Sequence, residues 1–251
     1  MKLSFSGLLS LLLATGLLAV GVARGEEVPK GDLEIYEKAL YVGDARVRAA
    51  AVEALVKNHP RAFELLVPYL EKNIDKPEAA AAVKAMASLH LGAETLPTLE
   101  RLYRLASEAP SKQNDRAALQ YGLSKLMYNL SPARYVQQFY NVMLRYSENG
   151  LRYGSTFPLD VKSMATLMPK EKFHALVPAL LARMADRTTI GQREEYVDLL
   201  IFITGRNFFS SGGKAGAFGP DFNEGLETYR RFYYQKMVPE LEPNKAGAVG
   251  E

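Results

Sequence analysis

Residues 44–55 read DARVRAAAVEAL, and residues 75–86 read DKPEAAAAVKAM. At this offset of 31 residues, Asp44/Asp75, Ala50/Ala81, Ala51/Ala82, Val52/Val83 and Ala54/Ala85 are identical, and Leu55/Met86 keeps its apolar type. A period of roughly 20–50 residues marks a stacked architecture, in which one unit cannot bury its apolar face alone. The apolar positions recur at helical spacing, not by strand alternation. Small residues let one helix back approach the next closely, and the larger ones fill the seam between them. The two stretches are therefore expected to be equivalent helices of consecutive pairs.

The same rhythm extends outward with looser sequence. The spacing predicts helix pairs over 33–41 with 44–58, 60–73 with 77–91, 93–107 with 112–129, 132–147 with 159–168, and 169–185 with 190–204, followed by a last helix over 224–237. Ser131-Pro132 places a capping hydroxyl before a proline at the first helical position. Thr189 and Gln192 stand at capping-box spacing, and Pro60, Pro77 and Pro169 sit where a helix should begin. VDLLIFIT (197–204) is β-branched enough for a strand, but its charged flank QREEY suits an amphipathic helix better. The expected class is all-α.

Asp44, Val47, Arg48, Ala51, Ala54 and Leu55 match the pattern D-x-x-V-R-x-x-A-x-x-A-L, and on these residues the segment resembles a HEAT repeat. The next repeat keeps Asp75 and the alanines but has Glu78 and Ala79 where Val-Arg would stand; the resemblance covers 32–105. It implies an α-solenoid of about five HEAT-like helix pairs with a C-terminal capping helix, and little about chemistry. Towards the C-terminus, Thr204-Gly205-Arg206-Asn207-Phe208, then Asp221, then Tyr229-Arg230-Arg231-Phe232-Tyr233 resemble the ending of bacterial exported HEAT-repeat proteins. In those a T-G-x-x-F turn and an Asp precede a closing helix with W-R-x-W-W; Tyr229, Phe232 and Tyr233 stand here for the tryptophans.

The first 25 residues read as an export signal. Lys2 precedes an uncharged, Leu-rich run over 7–23, and Ala23-Arg24-Gly25 offers small residues for cleavage before Glu26. The alternative is a retained anchor, for which a 17-residue run is at the lower edge of a span. Cleavage would remove two cations and no acid, taking the formal charge of the 251-residue chain from +3 to +1. No block of Lys/Arg marks a nucleic-acid footprint, and no later run is long enough to span a bilayer. With no Cys, disulfides, thiol nucleophiles and thiolate zinc sites are excluded. The expected organisation is a signal over 1–25, the solenoid over 26–238 with a Gly-rich insertion over 206–223, and a disordered tail over 239–251.

Candidate chemistry is sparse. His59 and His90 stand one repeat apart, close enough in stacked repeats to share a metal, but more simply two polar residues closing equivalent helices. SSGGKAGAFG (210–219) lacks the spacing and the hydroxyl of a phosphate loop. Glu194, Glu195 and Asp198 crowd one helical turn and would serve acid–base chemistry only if burial split their pKa values; a solvated helix start accounts for them as well. Phe208, Phe209, Phe218 and Phe222 would anchor the insertion or meet a partner. Tyr121 and Tyr128 lie a heptad apart with Lys125 between, an arrangement that suits a partner if exposed and a core seam if not. The expected function is non-catalytic: a protein-binding scaffold of the bacterial envelope, with Tyr121, Lys125, Tyr128, Phe218, Arg230 and Arg231 as contact residues and no metal, cofactor or catalytic residue assigned. The alternative is a carbohydrate or small-ligand pocket near Tyr121, Tyr128 and Tyr135.

Overall fold

Asp44 caps the helix that follows it. In the computed structural model its Oδ1 accepts from the amides of Arg46 and Val47 at 2.9 and 3.0 Å, and these two donors hold the carboxyl below its ordinary range. The structure describes residues 30–42, 44–110, 112–148, 157–186, 191, 193–209 and 222–238. Among them all regular structure is helical: α1 (Lys30–Ala39), α2 (Ala45–Asn58), α3 (Ala62–Lys72), α4 (Pro77–Met86), α5 (Leu96–Glu108), α6 (Gln113–Leu130), α7 (Pro132–Glu148), α8 (Phe157–Met164), α9 (Val177–Ala185), α10 (Arg193–Thr204) and α11 (Phe222–Phe232). The expected signal over 1–25, the capping pair Thr189 and Gln192, Phe218 and the tail over 239–251 lie outside the described residues.

Two compact units divide inside α6, the first up to Leu126 and the second from Met127. In the first, α2 packs on α1, α3 and α4, and α3 packs on α4 and α5. Residues that repeat in sequence repeat in burial. Ala51, Val52 and Leu55 are inside α2, and Ala82, Val83 and Met86 are inside α4. Ala50 and Ala81 both face solvent.

The departure from the repeat has a physical consequence. Glu78 replaces the valine found at position 47, and its Oε1 accepts from Nη2 of Arg48. This ion pair ties α2 to α4 across the seam, and the guanidinium holds the Glu78 carboxyl below its usual range. Ala79 stands where a second arginine would be and is fully buried.

In the second unit, α7 packs on α8, α8 and α9 on α10, and α9 on α11. The expected single helix over 169–185 is two pieces, a 3-10 segment Lys170–Leu176 and then α9 with Pro178 in its first turn. Proline lacks the N–H that a continuous helix would need there, so the break falls just before it. VDLLIFIT is helical, and burial of Val197, Leu199, Leu200 and Ile203 explains its apolar content.

Gly205 ends α10 with φ +66, a left-handed conformation that glycine adopts without a Cβ clash. The chain then feeds an aromatic seal. Phe209 stacks on Phe222 at 5.8 Å, and Phe208 meets Tyr229 edge-on at 4.7 Å. Tyr229 is fully buried and donates its hydroxyl proton to the carbonyl of Arg206. Phe208, Phe209 and Phe222 thus anchor the described ends of the insertion. The expected closing helix is α11 followed by a π turn, Tyr233–Met237.

A Cβ on Gly225 would lie 2.4 Å from Cδ1 of Phe209 and 3.2 Å from the carbonyl oxygen of Phe208. In an open helix Gly→Ala gains about 1 kcal/mol. Here the ring has to leave its stack on Phe222, so Gly225→Ala is expected to cost about 1–3 kcal/mol. Thermal unfolding checks the sign; a stabilised variant would mean that the ring moves aside freely.

Candidate functional site

A concavity of the first unit opens where the C-terminal halves of α2 and α4 meet the start of α3. It has a volume of about 980 Å³. Val56, Phe63, Ala81, Ala85 and Leu89 supply apolar lining, and Glu53, Lys57, Lys84, Ser88, His59 and His90 supply polar groups. The repeat builds this groove: at the offset of 31, Glu53 is equivalent to Lys84, Lys57 to Ser88, and His59 to His90. Lys57 and Lys84 stand in the last turns of their helices, where a cation faces the negative end of the dipole.

His59 is fully committed. It ends α2, with its N–H on the carbonyl of Leu55 at 2.8 Å. The amide of Arg61 donates to Nδ1 at 3.0 Å, so Nε2 carries the proton of the neutral ring and donates to Oε1 of Glu37 at 3.0 Å. Neither nitrogen is left to take a proton from a substrate or to bind a metal without losing a hydrogen bond. His90 is exposed on the same groove. Among the described residues no group of three or more His, Asp or Glu is placed to hold a metal ion. The groove offers apolar area, two ammonium groups and one carboxylate.

No protein-family model, curated protein or solved structure matches this chain. The site stands on its geometry alone.

The other candidate residues fall elsewhere. Tyr128 is 3% exposed; its ring stacks on Phe139 at 5.2 Å and its hydroxyl lies 2.7 Å from Oγ of Ser163. It is a core residue of the second unit, which corrects its expected role as an exposed contact. Tyr135 is likewise buried, beside Arg134. Of the three residues of the expected carbohydrate pocket, Tyr128 and Tyr135 are therefore inside and Tyr121 is half-buried. Tyr121 and Lys125 are half-buried on α6, in the first unit. Arg230 pairs with Glu227 on its own helix, and Arg231 is exposed. Glu194 and Asp198 are half-buried, Glu195 is exposed, and none of them lines the groove.

Several tyrosines of the second unit instead fill space. Burial pushes the Tyr140, Tyr146 and Tyr196 hydroxyls above the usual phenol range, with Arg183 partly countering this at Tyr146 and Tyr196. Tyr140 donates to the carbonyl of Lys172 and meets Phe173 edge-on. Sequence reasoning missed the groove because it weighed His59 and His90 as ligands. The signal was present: the offset that defines the repeat also sets Glu53, Lys57, Lys84 and both histidines round one hollow.

Proposed function

We propose that this chain is a non-catalytic interaction module, an α-solenoid of about five HEAT-like helix pairs exported to the bacterial envelope, which holds a segment of a partner protein. The packing of α2 on α4 and of α3 on α5 supports the stacked reading. One observation carries the binding reading: equivalent positions of the repeated helices α2 and α4 form an open, apolar-floored groove of about 980 Å³. That is the upper end of the size range for small-ligand pockets, and an open hollow of this size accommodates a short peptide segment. A preformed groove on packed helices also spares the ordering cost of binding. Among the described residues no helix is long and apolar enough to cross a membrane.

The repeat supplies its own control. Ala50 and Ala81 are equivalent and both exposed, but only Ala81 lines the groove. A photo-reactive amino acid at position 81 is expected to cross-link a discrete partner in envelope extract, and the same group at position 50 is not. Equal labelling at both positions, or none at 81, would count against a groove-bound partner.

A further inference from the structure

The solvent face of α8 carries a different surface. Leu159, Lys162, Ser163, Thr166 and Leu167 are exposed at a spacing of i, i+3, i+4, i+7 and i+8 on α8 and the turn after it, while Phe157, Val161 and Met164 fill the core beneath. Leu159 is 67% exposed and Leu167 45%. Lys162 and Lys170 both lie over the ring of Phe202, at 5.9 and 4.4 Å from its centroid. Neither has an ion-pair partner among the described residues. Lys172 adds a third cation, donating to Oε1 of Gln137 at 3.2 Å. The facing acids are few: Glu171 is exposed, Asp160 is buried beneath α8, and Asp198 is half-buried one turn before Phe202 on α10.

We infer that this face docks on an anionic phospholipid surface. The argument is what the patch still has to offer. Its two hydroxyls are already used: Oγ of Ser163 bonds to the hydroxyl of Tyr128 at 2.7 Å, and Oγ1 of Thr166 donates to the carbonyl of Ser163 at 2.7 Å. Both hydroxyls are thus engaged inside the molecule. The ammonium groups of Lys162 and Lys170, which have no ion-pair partner among the described residues, and the projecting aliphatic side chains remain. A lipid surface needs just those two, headgroup phosphates for the ammonium groups and the acyl boundary for the leucines.

The test is co-sedimentation of residues 26–251, which hold every described element and leave out the apolar run over 7–23. The probes are vesicles of equimolar phosphatidylglycerol and phosphatidylcholine, against phosphatidylcholine alone. The chain is expected to pellet with the anionic vesicles and to be released by salt. K162E/K170E should weaken binding at least about 25-fold, since each lysine near such a surface is worth about fivefold. L159S/L167S should weaken binding while keeping the preference for the anionic lipid; circular dichroism establishes that both variants are folded. Three results would overturn the inference: no preference for phosphatidylglycerol, binding unchanged in both variants, or equal binding to polyglutamate with no dependence on the leucines. The last would assign the patch to an acidic protein.

Discussion

Tyr229→Ala is expected to lower the unfolding free energy of the second unit by about 3–5 kcal/mol, the range for deleting a fully buried aromatic side chain. The ring is wholly inside and touches both Phe208 and Phe209. Its removal opens a cavity at the point where the turn after α10 meets α11. Tyr229→Phe keeps the ring and loses the hydroxyl with its bond to the carbonyl of Arg206. The carbonyl of Arg206 also accepts from Oγ1 of Thr204 at 3.4 Å, so it keeps a donor and the cost is about 0.5–1.5 kcal/mol. Urea unfolding of the two variants separates the ring from the hydroxyl. Near-equal losses would mean that the hydrogen bond, not the packing, holds the seal.

The same residue makes the unit sensitive to alkali. Burial pushes the Tyr229 hydroxyl up to about 12, against about 10 for an unfolded tyrosine. Below pH 10 the residue is neutral in both states and its contribution is complete. Between about pH 10 and 12 the unfolded chain gives up a proton that the folded one keeps, so stability falls as pH rises through this window. Tyr229→Phe cannot ionise and should show a shallower loss. Tyr140, Tyr146 and Tyr196 are raised in the same direction, so part of the slope persists in that variant.

How far the sequence could be read depended on whether the deciding force was local. Helix existence and order were legible because periodicity and proline placement act within a few residues, as at Pro77, Pro132 and Gly205. The break before α9 was missed because Pro178 sits inside an otherwise helical apolar run, and only the lost N–H separates the two pieces. The fate of Tyr128 was not legible. A tyrosine on a helix faces core or solvent according to which helices pack against it, and Phe139 and Ser163 come from α7 and α8. The groove was half legible: the repeat aligned its residues, but their convergence depends on α2 packing directly on α4. Arg48 and Glu78 show the limit from the other side, since the residue that breaks the repeat pattern is the one that completes an ion pair across it.

That packing is open to a direct test in the first unit, where Leu55→Ala is expected to cost about 2–5 kcal/mol. Leu55 is fully buried and stands at the equivalent of Met86 in the next repeat. The size of this loss alone would not prove the stacking, because any core leucine behaves similarly. The neighbouring alanines discriminate. Ala51 is 1% exposed, while Ala50, one residue before it, faces solvent. A helix back can approach another closely only where the side chain is small, so Ala51→Leu forces extra methylenes into the packed side of α2 and should cost about 1–3 kcal/mol. Ala50→Leu places the same atoms in water, with an effect within about 0.5 kcal/mol. Both changes keep helix propensity nearly constant, so a difference between them measures packing. If the two variants unfold at the same urea concentration, α2 does not present position 51 to the core, and the groove built on its contact with α4 falls with that contact.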